Sequence, residues 1–338
     1  MLGDLWYALF VLIVCGYLIL DGFDMGVGIL LLPMARNDLE RRTLLNSIGP
    51  IWDGNEVWLV LAGGVLFAVF PLVYASLFSG FYLAFVLVLL VMILRTVSME
   101  FRSKEPSPRW RSFWDAVFAL ASAGLAFLLG VAFGDILSGV PLDADGNIHV
   151  TLIGLLQPFA LLVGVTTVAM FAMHGSLFLV QKTEGELHDR IRAAVPGLIV
   201  AFFVLTTLVV IAMVLGLQQI TSRYVHEIWP DVFPGGALIA TLLAWRFVRR
   251  GEDSRAFFAS AATIALLVIS GAIGMYPNLL ISTTDAAYNL TVSNAAAADN
   301  TLQICLIVAL IGMPFVLAYT AGVYYFFRGK TRVDEHGY

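Results

Sequence analysis

Charge is scarce in this chain: only 13% of its 338 residues are charged, whereas 60% are hydrophobic and the mean hydropathy is +0.89. A soluble domain carries roughly 25% charged residues. The apolar runs are long enough to cross a bilayer as helices, which takes about 20 residues each. A membrane β-barrel is excluded, because its strands alternate apolar and polar residues over segments of about 10. The composition therefore predicts an all-α, polytopic membrane protein.

Several other features are missing. The two cysteines, Cys15 and Cys305, both fall in apolar runs, which is typical of small buried hydrophobes and not of a disulfide or metal pair. P-loop, GxGxxG, CxxC and HExxH motifs are absent, so no nucleotide or zinc site is predicted. The N-terminus lacks a basic stretch before its apolar run, so no cleavable signal peptide is expected. We expect one integral membrane domain over residues 1–338 and no nucleic-acid partner.

The apolar runs predict nine transmembrane helices, since backbone amides in lipid must bond within their own segment. The predicted spans are 5–34, 51–72, 78–101, 113–137, 152–180, 194–219, 231–248, 256–276 and 301–327. The seventh is the weakest, because it is short and opens with WPDVFPGG. Segment 277–300, polar and rich in small residues, is compatible with an ordered loop or a floppy one.

The basic residues are distributed on one side of the predicted spans. Of the 19 lysines and arginines, all but Arg95 and Arg223 lie in segments 35–42, 102–111, 181–192 and 246–255 or in the C-terminal tail. Nine spans place all these segments on the same side of the membrane. By the positive-inside rule the N-terminus is outside and the C-terminus is cytoplasmic.

Two acids interrupt the first span. Asp21 and Asp24 in YLILDGFDMGVGILLL are three residues apart and so share a helix face. An acid at the centre of a membrane helix costs about 2.5–3.5 kcal/mol on insertion scales, so it usually faces the protein interior. Asp24 lies about 15 Å from the cytoplasmic end of the span. A proton or ion path explains such residues, and so does a buried carboxyl that caps a helix kink.

Further ionisable residues are predicted to lie at the cytoplasmic ends of the second and third spans. Asp53 and Glu56 in PIWDGNEVW follow Pro50 and suit the positive end of a helix, which alone would explain one acid. Arg95 lies about 10 Å deeper than the surface residue Arg102, within snorkelling distance of the interface.

Asp24, Asp53, Glu56, Arg95 and Glu100 can therefore converge in the cytoplasmic half of the membrane. A pair between Arg95 and either Asp24 or Asp53 would lower the cost of burying them. A ladder of acids of this kind suits proton conduction, and a cation-coupled transporter would use it equally well.

Other candidates have simpler explanations. Asp115 is expected to be a charge near a helix N-terminus, and Asp135 is expected to be solvated at the outer end of its span. Trp52 and Trp58 are typical interfacial aromatics. His174 is the one histidine inside a span. A lone buried histidine is usually hydrogen-bonded in the core, so haem ligation here is not expected.

The motifs resemble those of subunit II of the cytochrome bd-type quinol oxidases. The resemblance runs through DGFDMGVG (21–28), RNDLERR (36–42), residues 46–82 and GVAFGDILSGVP (130–141). It continues more thinly through GELHDR (185–190) and LAYTAGVYYF (317–326). It implies two four-helix bundles and a peripheral helix.

Such oxidases are complexes of the bacterial cytoplasmic membrane that oxidise quinol and reduce dioxygen to water. The resemblance implies a partner, subunit I, that carries haem b and haem d, and one or more small single-helix subunits. It leaves open whether this chain holds a structural quinone. The complex would work within the lipid bilayer and build a potential by taking protons from the cytoplasm.

The resemblance also implies roles for residues. Asp24 and Asp53 match the family's proton-channel acids, and Arg95 and Glu100 match an arginine and an acid at the end of the third helix. The acid is often aspartate, so Glu100 departs mildly from the pattern. Trp58 matches a residue on the oxygen route.

We add Glu56 to the expected proton path because it lies one turn from Asp53, and we place Trp52 near a quinone. No catalytic or cofactor-binding residue is expected in this chain. The alternatives are a proton- or cation-coupled transporter and a passive assembly scaffold. A transporter is expected to show inverted repeats or broken helices near the midplane, and no convincing inverted repeat is found.

Overall fold

The computed structural model describes residues 2–331 and is almost entirely α-helical. The helices are α1 (Leu2–Met34), α2 (Asp38–Ile48), α3 (Trp52–Val69), α4 (Pro71–Gly80), α5 (Tyr82–Arg102), α6 (Pro108–Ser138), α7 (Pro158–Lys182), α8 (Gly185–Gly216), α9 (Gln218–His226), α10 (Val232–Arg250), α11 (Asp253–Met275) and α12 (Asp299–Phe326). Two short strands, β1 (Asn278–Leu280) and β2 (Leu290–Thr291), form an antiparallel pair.

Eight of the described helices are long and apolar enough to cross a membrane singly: α1, α5, α6, α7, α8, α10, α11 and α12. Helices α3 and α4, which are bent by 120° relative to each other, are together long and apolar enough for a ninth, broken span or for a re-entrant loop. Pro71 opens α4, because proline cannot donate the amide that a continuing α3 would need. The chain is an integral membrane protein with eight or nine spans in its described part.

The helices form two four-helix bundles and a peripheral helix. In the first bundle α1 packs against α3 and α6, and α6 packs against α5. In the second, α7 packs against α8 and α11, and α10 packs against α11. Helices α1 and α6 contact α7 and so join the bundles. Helix α12 lies outside both, against α3 and α1.

Small residues bring α1 and α7 into backbone contact. A Cβ added to Gly26 would lie 2.0 Å from the carbonyl oxygen of Phe171 and 2.8 Å from Cα of Gly175. A Cβ added to Gly175 would meet Gly26 at 2.6 Å. This approach holds the acidic stretch of α1 at the join between the bundles, where Asp21 and Asp24 are fully buried.

We call the two ends of the bundles the basic end, where the arginine-rich segments lie, and the opposite end. At the opposite end, segment 277–300 is ordered. Its Leu280 and Leu290 are buried, and Val140 bonds Ile281 and Thr283 through backbone groups. Ala297 N–H donates to the Val69 carbonyl and ties this loop to the end of α3.

Several predicted boundaries differ from the structure. The predicted span 78–101 begins inside α4, because the chain turns again at Phe81 before α5 starts. The predicted span 152–180 opens with a 3-10 turn, Ile153–Leu155, and its α-helix starts at Pro158. The helix that contains most of the predicted span 194–219 starts earlier, because α8 begins at Gly185 and includes much of the predicted basic loop 181–192. Arg332 of the predicted basic tail lies outside the described residues.

A buried cluster of ionisable residues

Arg95 is fully buried between two carboxylates from two other helices. Its Nη2 lies 2.7 Å from Oδ1 of Asp21 on α1, and its Nη1 lies 2.7 Å from Oε1 of Glu56 on α3. Asp21 is also fully buried, whereas the Glu56 side chain is 15% exposed. The predicted pairing of Arg95 with Asp24 or Asp53 was wrong. Asp21 and Asp24 share a helix face, and it is Asp21 that meets the guanidinium.

Asp24 is held by an amide. Asn55 Nδ2 on α3 donates to Asp24 Oδ2 at 2.7 Å and to the Leu20 carbonyl at 3.3 Å. The Tyr324 hydroxyl on α12 donates to Asn55 Oδ1 at 2.9 Å. Asp24 is thus the acid of the cluster whose hydrogen bond comes from a neutral donor.

Four buried polar atoms around this cluster have no hydrogen-bond partner among the described residues. They are Asp21 Oδ2, Asp24 Oδ1, Arg95 Nε and the Tyr17 hydroxyl. Buried polar groups are nearly always satisfied, by protein or by ordered water.

Of the five residues expected to converge, the structure brings some together and leaves two on the surface. Glu56 and Arg95 are in contact, and Asp24 joins them through α1 and Asn55. Asp53, in the first turn of α3, and Glu100, near the end of α5, are exposed on this chain at the basic end. The position of Asp53 also suits the positive end of α3.

A second cluster closes the basic end. Arg102 donates from Nε to Asp115 Oδ1 and from Nη2 to Asp38 Oδ1, each at 2.6 Å. Arg41 donates to Asp115 at 2.9 Å, and Arg111 donates to Asp38 at 2.9 Å. Burial alone would raise the pKa of Asp38, but the hydrogen bond and charge of Arg102, with the charge of Arg111, hold it below its usual value.

Two acids lie in surroundings other than those expected. Asp115 is not a terminal charge: it is buried two turns into α6 and accepts from two arginines. Asp135 is not solvated: it is 4% exposed, and its Oδ2 has no partner among the described residues. The surroundings of Asp115 follow from the start of α6 at Pro108, five residues before the predicted span 113–137.

An apolar cavity of about 1180 Å³ lies beside the cluster. Tyr17, Leu59 and Ala62 line it, and Asp135 lies on its wall. Trp58 is buried against α1, where a Cβ on Gly16 would be 2.6 Å from its ring. Trp52 is buried too, and the described lining of the cavity contains neither tryptophan.

His174 does not suit an iron ligand. Its Nδ1 lies 2.7 Å from Ser260 Oγ, and its Nε2 lies 3.1 Å from the Ile19 carbonyl, so both ring nitrogens are engaged. The ring also stacks on Phe257 at a centroid distance of 4.7 Å. A carbonyl only accepts, so Nε2 carries a proton and donates to Ile19, while the Ser260 hydroxyl also lies 2.7 Å from the Phe257 carbonyl, to which it donates. His174 is a hydrogen-bonded core residue that joins α1, α7 and α11.

The family model for cytochrome bd terminal oxidase subunit II matches residues 2–327. The chain belongs to that family. The cytochrome bd ubiquinol oxidase subunit 2 of Bacillus subtilis is 37% identical over 334 residues, covering 99% of this chain and 98% of the relative. The cytochrome bd-I ubiquinol oxidase subunit 2 of Escherichia coli K12 is 35% identical over 363 residues, covering 98% and 95%.

A solved structure of the bd oxidase from Geobacillus thermodenitrificans shares the fold, with a TM-score of 0.79 and 14% sequence identity. The match covers 96% of this chain and 98% of the matched chain. As subunit II, the chain is part of a respiratory quinol oxidase, a haem-containing oxidoreductase complex, and it has subunit I as its partner. Family membership favours this function over the transporter alternative.

Some residues of the site escaped the sequence reasoning. Asn55 lies between the two acids of WDGNE, and its polarity inside a span was an available sign. Tyr324 is 269 residues from Asn55 along the chain, and nothing local marks it. The role of Asp21 as the partner of Arg95 depends on how α1 packs, which a single sequence does not contain.

Proposed function

We propose that this subunit II conducts cytoplasmic protons toward the oxygen-reducing site of the complex. The proposed carriers are Asp53 and Glu100 at the surface, Glu56 within the membrane and Asp24 at the inner end, and Arg95 lies on the path as a fixed positive charge. The observation that carries the proposal is the burial of Arg95 between Asp21 and Glu56, next to a third acid, Asp24.

The charges of this cluster support the proposal. One guanidinium faces three carboxyl groups, so full ionisation would leave two uncompensated negative charges in the membrane interior. Uncompensated buried charge is expensive, and a carboxyl group avoids it by holding a proton. Asp21 and Glu56 contact Arg95 directly, whereas Asp24 meets a neutral amide. Asp24 is therefore the acid best placed to carry a proton.

The order of the path follows from exposure. Asp53 and Glu100 are open to the basic end, Glu56 is partly exposed, and Asp24 is fully buried. Glu56 lies one helical turn, about 4.5 Å along the axis, beyond Asp53. Protons would enter at the surface acids and reach Asp24 through the partly exposed Glu56.

The proposed location is the bacterial cytoplasmic membrane, with the N-terminus outside and the basic end in the cytoplasm. The distribution of arginine and lysine supports this orientation. The proton path then opens to the cytoplasm, so consumption of protons in water formation would draw positive charge inward.

We assign haem b and haem d to subunit I. Haem in the complex supplies electron transfer and oxygen reduction. The engaged ring nitrogens of His174 support this assignment, since an iron ligand needs a free one. Quinol and dioxygen are the proposed substrates of the complex, and one or more single-helix subunits are proposed as further partners.

The cavity is the proposed oxygen route, because dioxygen is apolar and the walls are chiefly hydrophobic. Trp58 would border this route: Leu59 and Ala62, on the same helix, line it. At about 1180 Å³ the cavity is larger than a usual ligand pocket of about 300–1,000 Å³, so it has room for a ligand. We propose two places for a structural quinone: this cavity, where a quinone carbonyl could accept from Tyr17, and the surroundings of Trp52.

The proposed proton path is tested by quinol-driven oxygen consumption of the complex carrying Asp53→Asn, together with its reduced-minus-oxidised haem spectrum. The expected result is intact haems with turnover reduced by at least about tenfold, within the range of proton-transfer residues. Loss of haems along with activity would support the scaffold alternative. Full turnover with normal haems would contradict a role for Asp53.

A further inference from the structure

The peripheral helix α12 reaches into the cluster with a single side chain. Leu302 is its one buried residue among those described, and most of its surface faces outward. Tyr324 differs from the outward-facing side chains of α12, because it is half-buried and its hydroxyl donates to Asn55 Oδ1 at 2.9 Å. This bond joins α12 to the amide that holds Asp24.

The orientation of the Asn55 amide follows from its neighbours. The Leu20 carbonyl can only accept a hydrogen bond, and an ionised Asp24 can also only accept one. Each of them therefore needs one of the two N–H groups of Asn55 Nδ2. Oδ1 is then left as an acceptor, which requires the Tyr324 hydroxyl to be the donor. The reversed amide would set an oxygen against two acceptors.

The chain of bonds distinguishes the two oxygens of Asp24. Oδ2 accepts from Asn55, whereas Oδ1 is buried and has no hydrogen-bond partner among the described residues. We propose that Tyr324 is a positioning residue for proton transfer at Asp24. Tyr324 fixes the orientation of the Asn55 amide, so that Asp24 Oδ2 always accepts a hydrogen bond from it. Asp24 Oδ1 is then the oxygen that takes up and releases the proton.

The step needs no further reactant. A proton arriving at Oδ1 forms an O–H bond and neutralises the carboxylate, and its departure from the same oxygen restores the charge. Tyr324 keeps its own proton throughout. Without the phenol, the amide can rotate about its broad two-fold terminal torsion and present oxygen to Asp24. The inference rests on the proposed role of Asp24 as a proton carrier.

The test compares Tyr324→Phe with Tyr319→Phe, a matched control on the same helix whose side chain is exposed. Both variants are purified as the complete oxidase complex. Quinol-driven oxygen consumption is measured against pH, and infrared difference spectra record the C=O band of protonated Asp24, identified by its loss in Asp24→Asn.

Both variants should have a haem spectrum like that of the wild type. In Tyr324→Phe alone, the loss of one neutral hydrogen bond should lower turnover about fivefold. The same variant should also show a displaced pH profile of turnover and a shifted C=O band of Asp24. Asn55→Leu should shift the same band. The double variant Asp24→Asn with Tyr324→Phe should be no slower than Asp24→Asn, because both changes act on one step.

An unchanged band and pH profile in Tyr324→Phe would overturn the positioning role, even if turnover fell. So would a double variant whose losses multiply, or a band that Asn55→Leu does not move. Full turnover of Asp24→Asn is a separate outcome: it would overturn the role of Asp24 itself, and the inference with it.

Discussion

Arg95 and Asp21 form an ion pair of 2.7 Å in which both side chains are completely buried, although α1 and α5 are separated by 74 residues along the chain at this point. Glu56 completes the arrangement from α3. The pair places the Arg95 guanidinium where it compensates two acids. The stability of the first bundle and the chemistry of the proposed path therefore depend on the same guanidinium.

Arg95→Ala should destabilise the complex strongly. Removing one partner of a buried ion pair leaves uncompensated charge and typically costs about 3–5 kcal/mol. We expect a lower melting temperature and a low yield of assembled complex, measured by thermal unfolding in detergent. The triple variant Arg95→Ala, Asp21→Asn, Glu56→Gln should recover much of the loss, because the charges leave together. Wild-type melting of the single variant would contradict the ion-pair account.

Asp115→Asn should also destabilise the complex, because Asp115 is buried and compensates Arg102 and Arg41. We expect a cost of about 3 kcal/mol or more. The matched control is Asp253→Asn, whose pair with Arg192 is about 30% exposed and should contribute at most about 1 kcal/mol. Equal melting temperatures for the two variants would show that burial of the Asp115 ion pairs does not determine how much they contribute to the stability of the complex.

Stability at the basic end should depend on pH through Asp38. Its pKa is lowered in the folded chain, so its contribution is present above the unfolded value of about 3.9 and is lost as pH falls through the folded value. The difference in melting temperature between wild type and Asp38→Asn should be constant above about pH 5 and shrink below pH 4. A difference that grows on acidification would have the wrong sign.

Gly175→Ala should disrupt the join between the bundles, because the new Cβ would lie 2.6 Å from Gly26 backbone atoms. Overpacking in a rigid interface costs typically about 1–3 kcal/mol or more. Gly197→Ala on α8 is the control, since a Cβ there meets nothing within 4 Å. Assembly yield and melting temperature measure the effect. Indistinguishable variants would show that α1 and α7 can separate without loss.

The sequence predicted the helical class, the eight spans that are single helices and the family, because hydropathy and motifs are local properties. It did not predict which acid meets Arg95: spacing put Asp21 and Asp24 on one face, and only packing chose between them. The bend between α3 and α4 was missed because Pro71 reads equally well as the end of a span. Asp115 and Tyr324 show the same limit, since their surroundings are set by residues far away in the chain.

The most direct test of the central claim follows protons during a single turnover. Reduced complex in proteoliposomes is mixed with oxygen, and the membrane potential and haem oxidation are recorded together for wild type and Asp24→Asn. The account predicts that early haem oxidation is retained while the electrogenic phase of proton uptake is slowed at least about tenfold. An electrogenic phase of full amplitude at the wild-type rate would contradict it.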